Sequence, residues 1–208
     1  IASDDVGSGI RLETNHIITV GNTLLGFTWD RNGLVRIEPE TGHRTLLVNN
    51  IPGYNMALTS GETDNVVYVA GFEGVFRVDL TTTEVTNISP ESAQDIYVTS
   101  QIQSLAYDSD ANRLLMSDSM AGLVLAVDIA SGVRSKELSS GVGEGRYLLM
   151  PSFMAHAPGS NNVYVLDNDS NAKQALLAID LTTSDRSFVT NGSLPQQPAL
   201  DLLLDEDR

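Results

Sequence analysis

Cysteine is absent from the 208 residues. Disulfides, thiolate nucleophiles, zinc–thiolate sites and iron–sulfur clusters are therefore excluded. There is no run of about 18 apolar residues, so no membrane-spanning helix is expected. Basic residues are scarce: 12 Lys and Arg stand against 27 Asp and Glu, for a formal net charge of −15. A surface of that sign repels nucleic-acid phosphates and anionic lipid, and favours solubility, cations and basic partners. The acidity also suits a secreted or salt-exposed protein. No signal peptide is visible. The chain opens on Ile1 rather than Met, which reads as a processed or trimmed chain. Neither His-Glu-x-x-His nor Gly-x-Ser-x-Gly occurs.

What the chain does have is a repeat. One phrase recurs as Leu34 to Gly42, Val75 to Thr83, Leu125 to Gly132 and Leu177 to Ser184. Each is an alternating apolar strand, an acidic residue, then a Thr/Ser/Gly turn. The acidic residues fall at 38, 79, 128 and 180, in steps of 41, 49 and 52. A further strand follows, as in Arg44 to Val48 and Arg186 to Thr190. A second phrase precedes the first each time: Asn22-Thr23-Leu24-Leu25, Asn65-Val66-Val67-Tyr68, Asn112-Arg113-Leu114-Leu115 and Asn161-Asn162-Val163-Tyr164. Before it stands a third, such as Leu105-Ala106-Tyr107 or Phe153-Met154-Ala155. Alternation marks half-buried strands, and Thr, Ser and Gly supply tight turns.

Four short strands, a to d, at a period of 40 to 50 residues make one propeller blade, whose faces only neighbouring blades can cover. The expectation is an all-β propeller of four-stranded antiparallel blades, about four of them at roughly 14–48, 54–89, 102–139 and 152–190. A partial fifth at 198–208 echoes strand a through Asp201-Leu202-Leu203-Leu204-Asp205. The chain thus reads as a propeller or a fragment of one. The cut blade would be completed by Ile1 to Glu13, by sequence not present here or by another chain.

The stretch from Asn112 to Asp118 and on through Val127-Asp128-Ile129, with Asn161 to Asp167 and Ala178-Ile179-Asp180, resembles propeller repeats of the NHL, YWTD and gluconolactonase-like types. The first two copies depart from it, with Thr28 and Gly71 where Asp118 and Asp167 stand. The resemblance implies a fold and a preference for binding roles. From the lactonase-like members it also implies that Asp118 and Asp167 could converge on a divalent metal.

In such a fold the d–a and b–c loops share the usual binding face. Here they carry Trp29, Arg31, Tyr54, Phe72, Arg146 and Tyr147 as candidate ligand contacts, aromatic rings beside charge being suited to recognition. Asp118, Asp167 and Asp169 are the candidate metal ligands, with calcium the possible cofactor. Two Asp-x-Asp-x-Asn clusters resemble calcium loops. Of these, Asp167 to Asn171 is the better placed. Asp108 to Asn112 falls where the repeat needs an a–b turn, and Asp, Ser and Asn are ordinary turn formers. His156 aligns with Tyr107 and is expected to fill the same position by packing. Gly141 to Gly145 reads as a flexible d–a loop.

The leading expectation is a non-enzymatic, extracytoplasmic binding or structural module that meets protein, glycan or a surface through its loop face. A metal-dependent hydrolase of the lactonase kind is the alternative. A third reading is an architectural element of a larger extracellular assembly.

Overall fold

The computed structural model describes residues 7–12, 16–28, 30–91, 101–138, 142–168 and 174–189. They hold sixteen strands in four sheets and no α-helix. The first sheet is β1 (Ile17–Val20), β2 (Thr23–Thr28), β3 (Gly33–Ile37) and β4 (Arg44–Val48). The second is β5 (Asn55–Ser60), β6 (Val66–Gly71), β7 (Gly74–Asp79) and β8 (Val85–Pro90). The third is β9 (Ile102–Asp108), β10 (Arg113–Asp118), β11 (Leu123–Asp128) and β12 (Arg134–Leu138). The fourth is β13 (Met150–His156), β14 (Asn162–Asn168), β15 (Gln174–Asp180) and β16 (Arg186–Phe188). Every sheet runs in sequence order with antiparallel pairing, so each is a plain meander. Residues 198–208, expected to begin a further blade, lie outside the described residues.

The chain forms two compact units, Ile1–Ile88 and Ser89–Arg208. In the first, Leu25, Phe27 and Leu34 of one sheet pack with Val67, Val69 and Phe76 of the next. In the second, Leu115, Val124 and Ala126 pack with Val163, Val165 and Leu177. Within each unit the first strands of the two sheets lie side by side, β1 with β5 and β9 with β13. Strand β6 is buried at every residue, which a sheet open to water on one face would not allow. Among the described residues the largest fully buried side chain is Tyr68, whose hydroxyl donates to Glu62 at 2.8 Å. Burial first, and then Glu62, push its ionisation up.

The c–d turns show why the acidic residue recurs. Asp79 Oδ1 accepts the N–H groups of Thr81 and Thr82, both at 2.8 Å. Asp180 Oδ1 takes those of Thr182 and Thr183 at 2.8 and 2.9 Å. Asp128 takes the amide and hydroxyl of Ser131 at 2.7 and 2.6 Å. Glu38 is a carbon longer and instead accepts the Thr41 hydroxyl at 2.9 Å. Four residues after each acid the backbone enters the left-handed region, at Gly42, Thr83, Gly132 and Ser184. That closes the turn onto the next strand.

These bonds predict an acid limit to stability. The amides of Thr82 and Thr81 hold Asp79 below the usual carboxylate range. The hydroxyl and amide of Ser131 do so for Asp128, and Thr183 with Thr182 for Asp180. With the folded value depressed, the unfolded chain binds more protons in this range. The contribution is therefore complete above the ordinary Asp value of about 4, and is lost as pH falls through the folded values. The melting temperature is expected to hold steady down to about pH 4 and then drop. The triple variant Asp79→Asn, Asp128→Asn, Asp180→Asn should show a visibly shallower drop. An unchanged acid slope would place the effect elsewhere.

Candidate functional site

The residues just before each first strand lie against the b–c turn of the same sheet, and one position organises the contact. In the third sheet it is Asp118, buried at the end of β10. Its Oδ1 accepts N–H groups from Met120 and Ala121 in the turn at 3.1 and 3.0 Å, and from Gln101 before β9 at 3.3 Å. In the fourth it is Asp167, also buried, whose Oδ1 accepts from Leu149 and Met150 at 3.0 and 2.9 Å. Its Oδ2 lies 3.2 Å from Arg146 Nη2. In the first sheet Thr28 takes the position, its hydroxyl within reach of the Arg11 carbonyl at 3.1 Å and of Asp30 Oδ1 in the b–c turn at 2.5 Å. In the second, Gly71 leaves the bond to the backbone, where Phe72 N–H meets the Tyr54 carbonyl at 3.3 Å. One steric slot thus performs one fastening in three chemical ways: a carboxylate in two sheets, a hydroxyl in one and the backbone alone in the other. Bulges between Ser117 and Asp118, and between Pro151 and Phe153, bend the sheets at this end.

The fastened loops display apolar side chains. In the first unit Tyr54 and Phe72 stack, with centroids 6.3 Å apart and planes at 28°, yet they stay 45% and 47% exposed. Gly53, in the left-handed region, sits against Glu73 beside them. Arg31 lies 3.7 Å from Asp30, and both side chains are exposed. In the second unit Met120 is 74% exposed, and Tyr147, Leu149 and Met150 are exposed as well. Gly122 brings this turn onto the backbone before β13: a Cβ there would stand 3.0 Å from the Leu148 carbonyl oxygen.

Of the residues singled out from sequence, then, the structure brings together Tyr54 with Phe72 and Arg146 with Asp167. Tyr147 stands exposed beside Arg146, and Asp118 fastens its own sheet's loop. Trp29 and Asp169 lie outside the described residues.

A second constellation lies at the a–b turns of the second unit. Asp108, Asp110 and His156 bring a carboxylate oxygen or ring nitrogen each to within 4.8 Å of one another. They line a cavity of about 350 Å³ with Arg113, Gly159 and Asn161. Asp108 Oδ1 accepts the N–H groups of Asp110 and Ala111 at 3.2 and 3.1 Å, and its Oδ2 takes Arg113 Nε at 2.8 Å. Burial opposes ionisation of Asp108, but the Arg113 and Ala111 hydrogen bonds and the nearby His156 outweigh it, leaving the carboxyl below its usual range. Asp110 Oδ2 reaches into the next sheet to accept Gly159 N–H at 2.7 Å. Asp108 and Asp110 do build the a–b turn expected of them. His156 does more than pack, because it stands across from that turn's carboxylate. The signal in sequence was its register with Tyr107, one repeat earlier.

Solved structures similar to this chain in fold include the following three. A chain from a nidogen/laminin complex aligns with a TM-score of 0.65 and 18% identity, over 83% of this chain and 64% of that one. A structural-genomics protein of unknown function from Bacteroides thetaiotaomicron VPI-5482 aligns at 0.60 with 15% identity, over 85% and 57%. The chain is a β-propeller repeat protein. TolB from Acinetobacter baumannii aligns with this propeller at 0.58 with 13% identity, over 81% and 40%. The propeller therefore spans less than two thirds of the length of each of these chains. No family model matches it, and no curated sequence does.

Proposed function

We propose that this propeller is a non-enzymatic, extracytoplasmic binding module that holds another protein through its b–c and d–a loops. The observation that carries the reading is the stacked pair Tyr54 and Phe72, nearly half exposed on two loops whose backbones are joined by the Phe72 N–H to Tyr54 carbonyl bond. Rings kept in water on a fixed support are costly to leave uncovered and are the side chains that anchor interfaces. The net charge of −15 favours a partner with a basic surface. One of the similar folds is part of a nidogen/laminin complex, itself a protein assembly. Asp118 and Asp167, on which a metal-dependent hydrolase would draw, each have one oxygen occupied by backbone N–H groups. That use favours fastening of the loops.

The test is binding of the labelled chain to arrays of extracellular proteins and of glycans, comparing wild type with Tyr54→Ala/Phe72→Ala. A protein ligand is expected whose affinity falls by about 2 kcal/mol, or roughly thirty-fold, in the double variant at unchanged melting temperature. Glycan ligands alone would replace the reading with a lectin. Protein ligands indifferent to the substitutions would move the site off these loops.

A further inference from the structure

We propose that Asp108, Asp110 and His156 form a binding site for one divalent transition-metal ion, zinc being the best match. Acidic turns are common without an ion, and the histidine is what separates this one from them. The His156 side chain is only 1% exposed. Among the described residues its buried Nδ1 finds no hydrogen-bond partner, and its Nε2, the nitrogen that faces Asp108, lies 3.7 Å from Asp108 Oδ1, beyond hydrogen-bond reach. Buried polar groups are nearly always satisfied. This imidazole is instead held on the wall of a cavity, facing a carboxylate across a gap.

A bound cation accounts for that gap. Zinc takes imidazole nitrogen and carboxylate oxygen at about 2.0–2.2 Å, so its ligand atoms stand a little over 3 Å apart. The three donors here lie within 4.8 Å of one another. The exposed Asp110 side chain can close the remaining distance by rotation. One imidazole with two carboxylates suits zinc or manganese better than calcium, which prefers an all-oxygen shell.

The support around the two carboxylates is already in place. Two turn amides and Arg113 orient the Asp108 carboxylate, the kind of outer contact that fixes a metal ligand. Gly159 N–H orients Asp110. The donors come from the a–b turn of the third sheet and the first strand of the fourth, so an ion would clamp two neighbouring sheets of one unit. The site belongs to the a–b turns rather than the binding loops, and it stands or falls independently of the proposed function.

The experiment is calorimetric titration of the purified chain with zinc chloride in a non-chelating buffer, with and without excess calcium. About one equivalent is expected to bind in calcium's presence and to raise the melting temperature. Asp110→Asn keeps an oxygen for Gly159 N–H, and His156→Tyr places at 156 the residue found at 107. Each should weaken binding by about ten-fold or more while the zinc-free protein melts near wild type. Absence of zinc binding, binding abolished by calcium, or binding equally strong in both variants would overturn the site. Should His156→Tyr fail to fold, the exposed Asp110→Asn decides alone.

Discussion

Arg134→Ala is expected to lower stability by about 3–5 kcal/mol, read as a leftward shift of the urea midpoint. The guanidinium begins the outer strand β12 and its side chain is fully buried. Nε donates to Ser89 Oγ at 3.1 Å, Nη2 to the Ser89 carbonyl at 3.0 Å, and Nη1 to the Glu91 carboxylate. Ser89 Oγ in turn donates to the Gly132 carbonyl at 2.8 Å. Truncation takes the same donor away from a carboxylate, a carbonyl and a hydroxyl at once, and a largely buried carboxylate that loses its charged partner costs more than the bond itself was worth. Arg134→Lys should recover only part of the loss, because an ammonium cannot reproduce the planar fork that meets Ser89 and Glu91 together. A loss under about 1 kcal/mol for Arg134→Ala would mean that the segment is held by other contacts.

Arg186 occupies the same position of the fourth sheet. It donates to the carbonyls of Val142, Ser184 and Gly143 at 2.7, 3.1 and 3.3 Å. Arg44 is the first-sheet counterpart, buried at the start of β4, where its amide donates to the Ser8 carbonyl. In each case the arginine sits six residues after the acidic turn residue and receives the chain on its way to the first strand of the same sheet. The second sheet has Val85 there.

How much of this was legible in the sequence follows from the range of the interactions. Strand alternation and the c–d turns are local, and the turn carboxylates bind amides two and three residues on. The four-stranded units and the propeller fold could therefore be read. The arginine clasp could not, since Arg134 and Ser89 are 45 residues apart and neither looks unusual in its own neighbourhood. His156 escaped for a related reason: alignment with Tyr107 identified its register, but not the carboxylate opposite, which belongs to the preceding repeat. The Asp118 and Asp167 positions were visible as a repeated acid. Their use as loop fasteners was not, because the amides they hold from Gln101 and Leu149 lie 17 and 18 residues away.

Gly145→Ala should cost a further large fraction of the total stability, about 3–5 kcal/mol. The stretch from Gly141 to Gly145 reads from composition as a flexible loop. At Gly143 and Gly145 the structure corrects that, with the backbone pressed against the outer strand of the fourth sheet. At Gly145, φ is +97°, and a Cβ there would stand 2.1 Å from the Arg186 carbonyl oxygen. Beside it, Arg186 N–H donates to the Glu144 carbonyl at 2.9 Å. The first sheet repeats the device at Gly9, with φ +106°, where a Cβ would meet the Arg44 carbonyl oxygen at 2.0 Å and the two residues form a parallel bridge. In both, the incoming chain covers part of an outer strand that would otherwise offer an open edge for pairing.

Two costs add in Gly145→Ala: a backbone conformation that L-residues avoid, and a collision with backbone that no rotamer can relieve. Gly159→Ala separates them, because Gly159 has φ +71° and a Cβ there would meet nothing within 4 Å. It should lose only the conformational part, about 1–2 kcal/mol. Urea unfolding of both variants decides the matter. Equal losses would show that the close approach contributes nothing, whereas a gap of about 2 kcal/mol would show the pressed segment to be a structural strap that also shields the sheet edge.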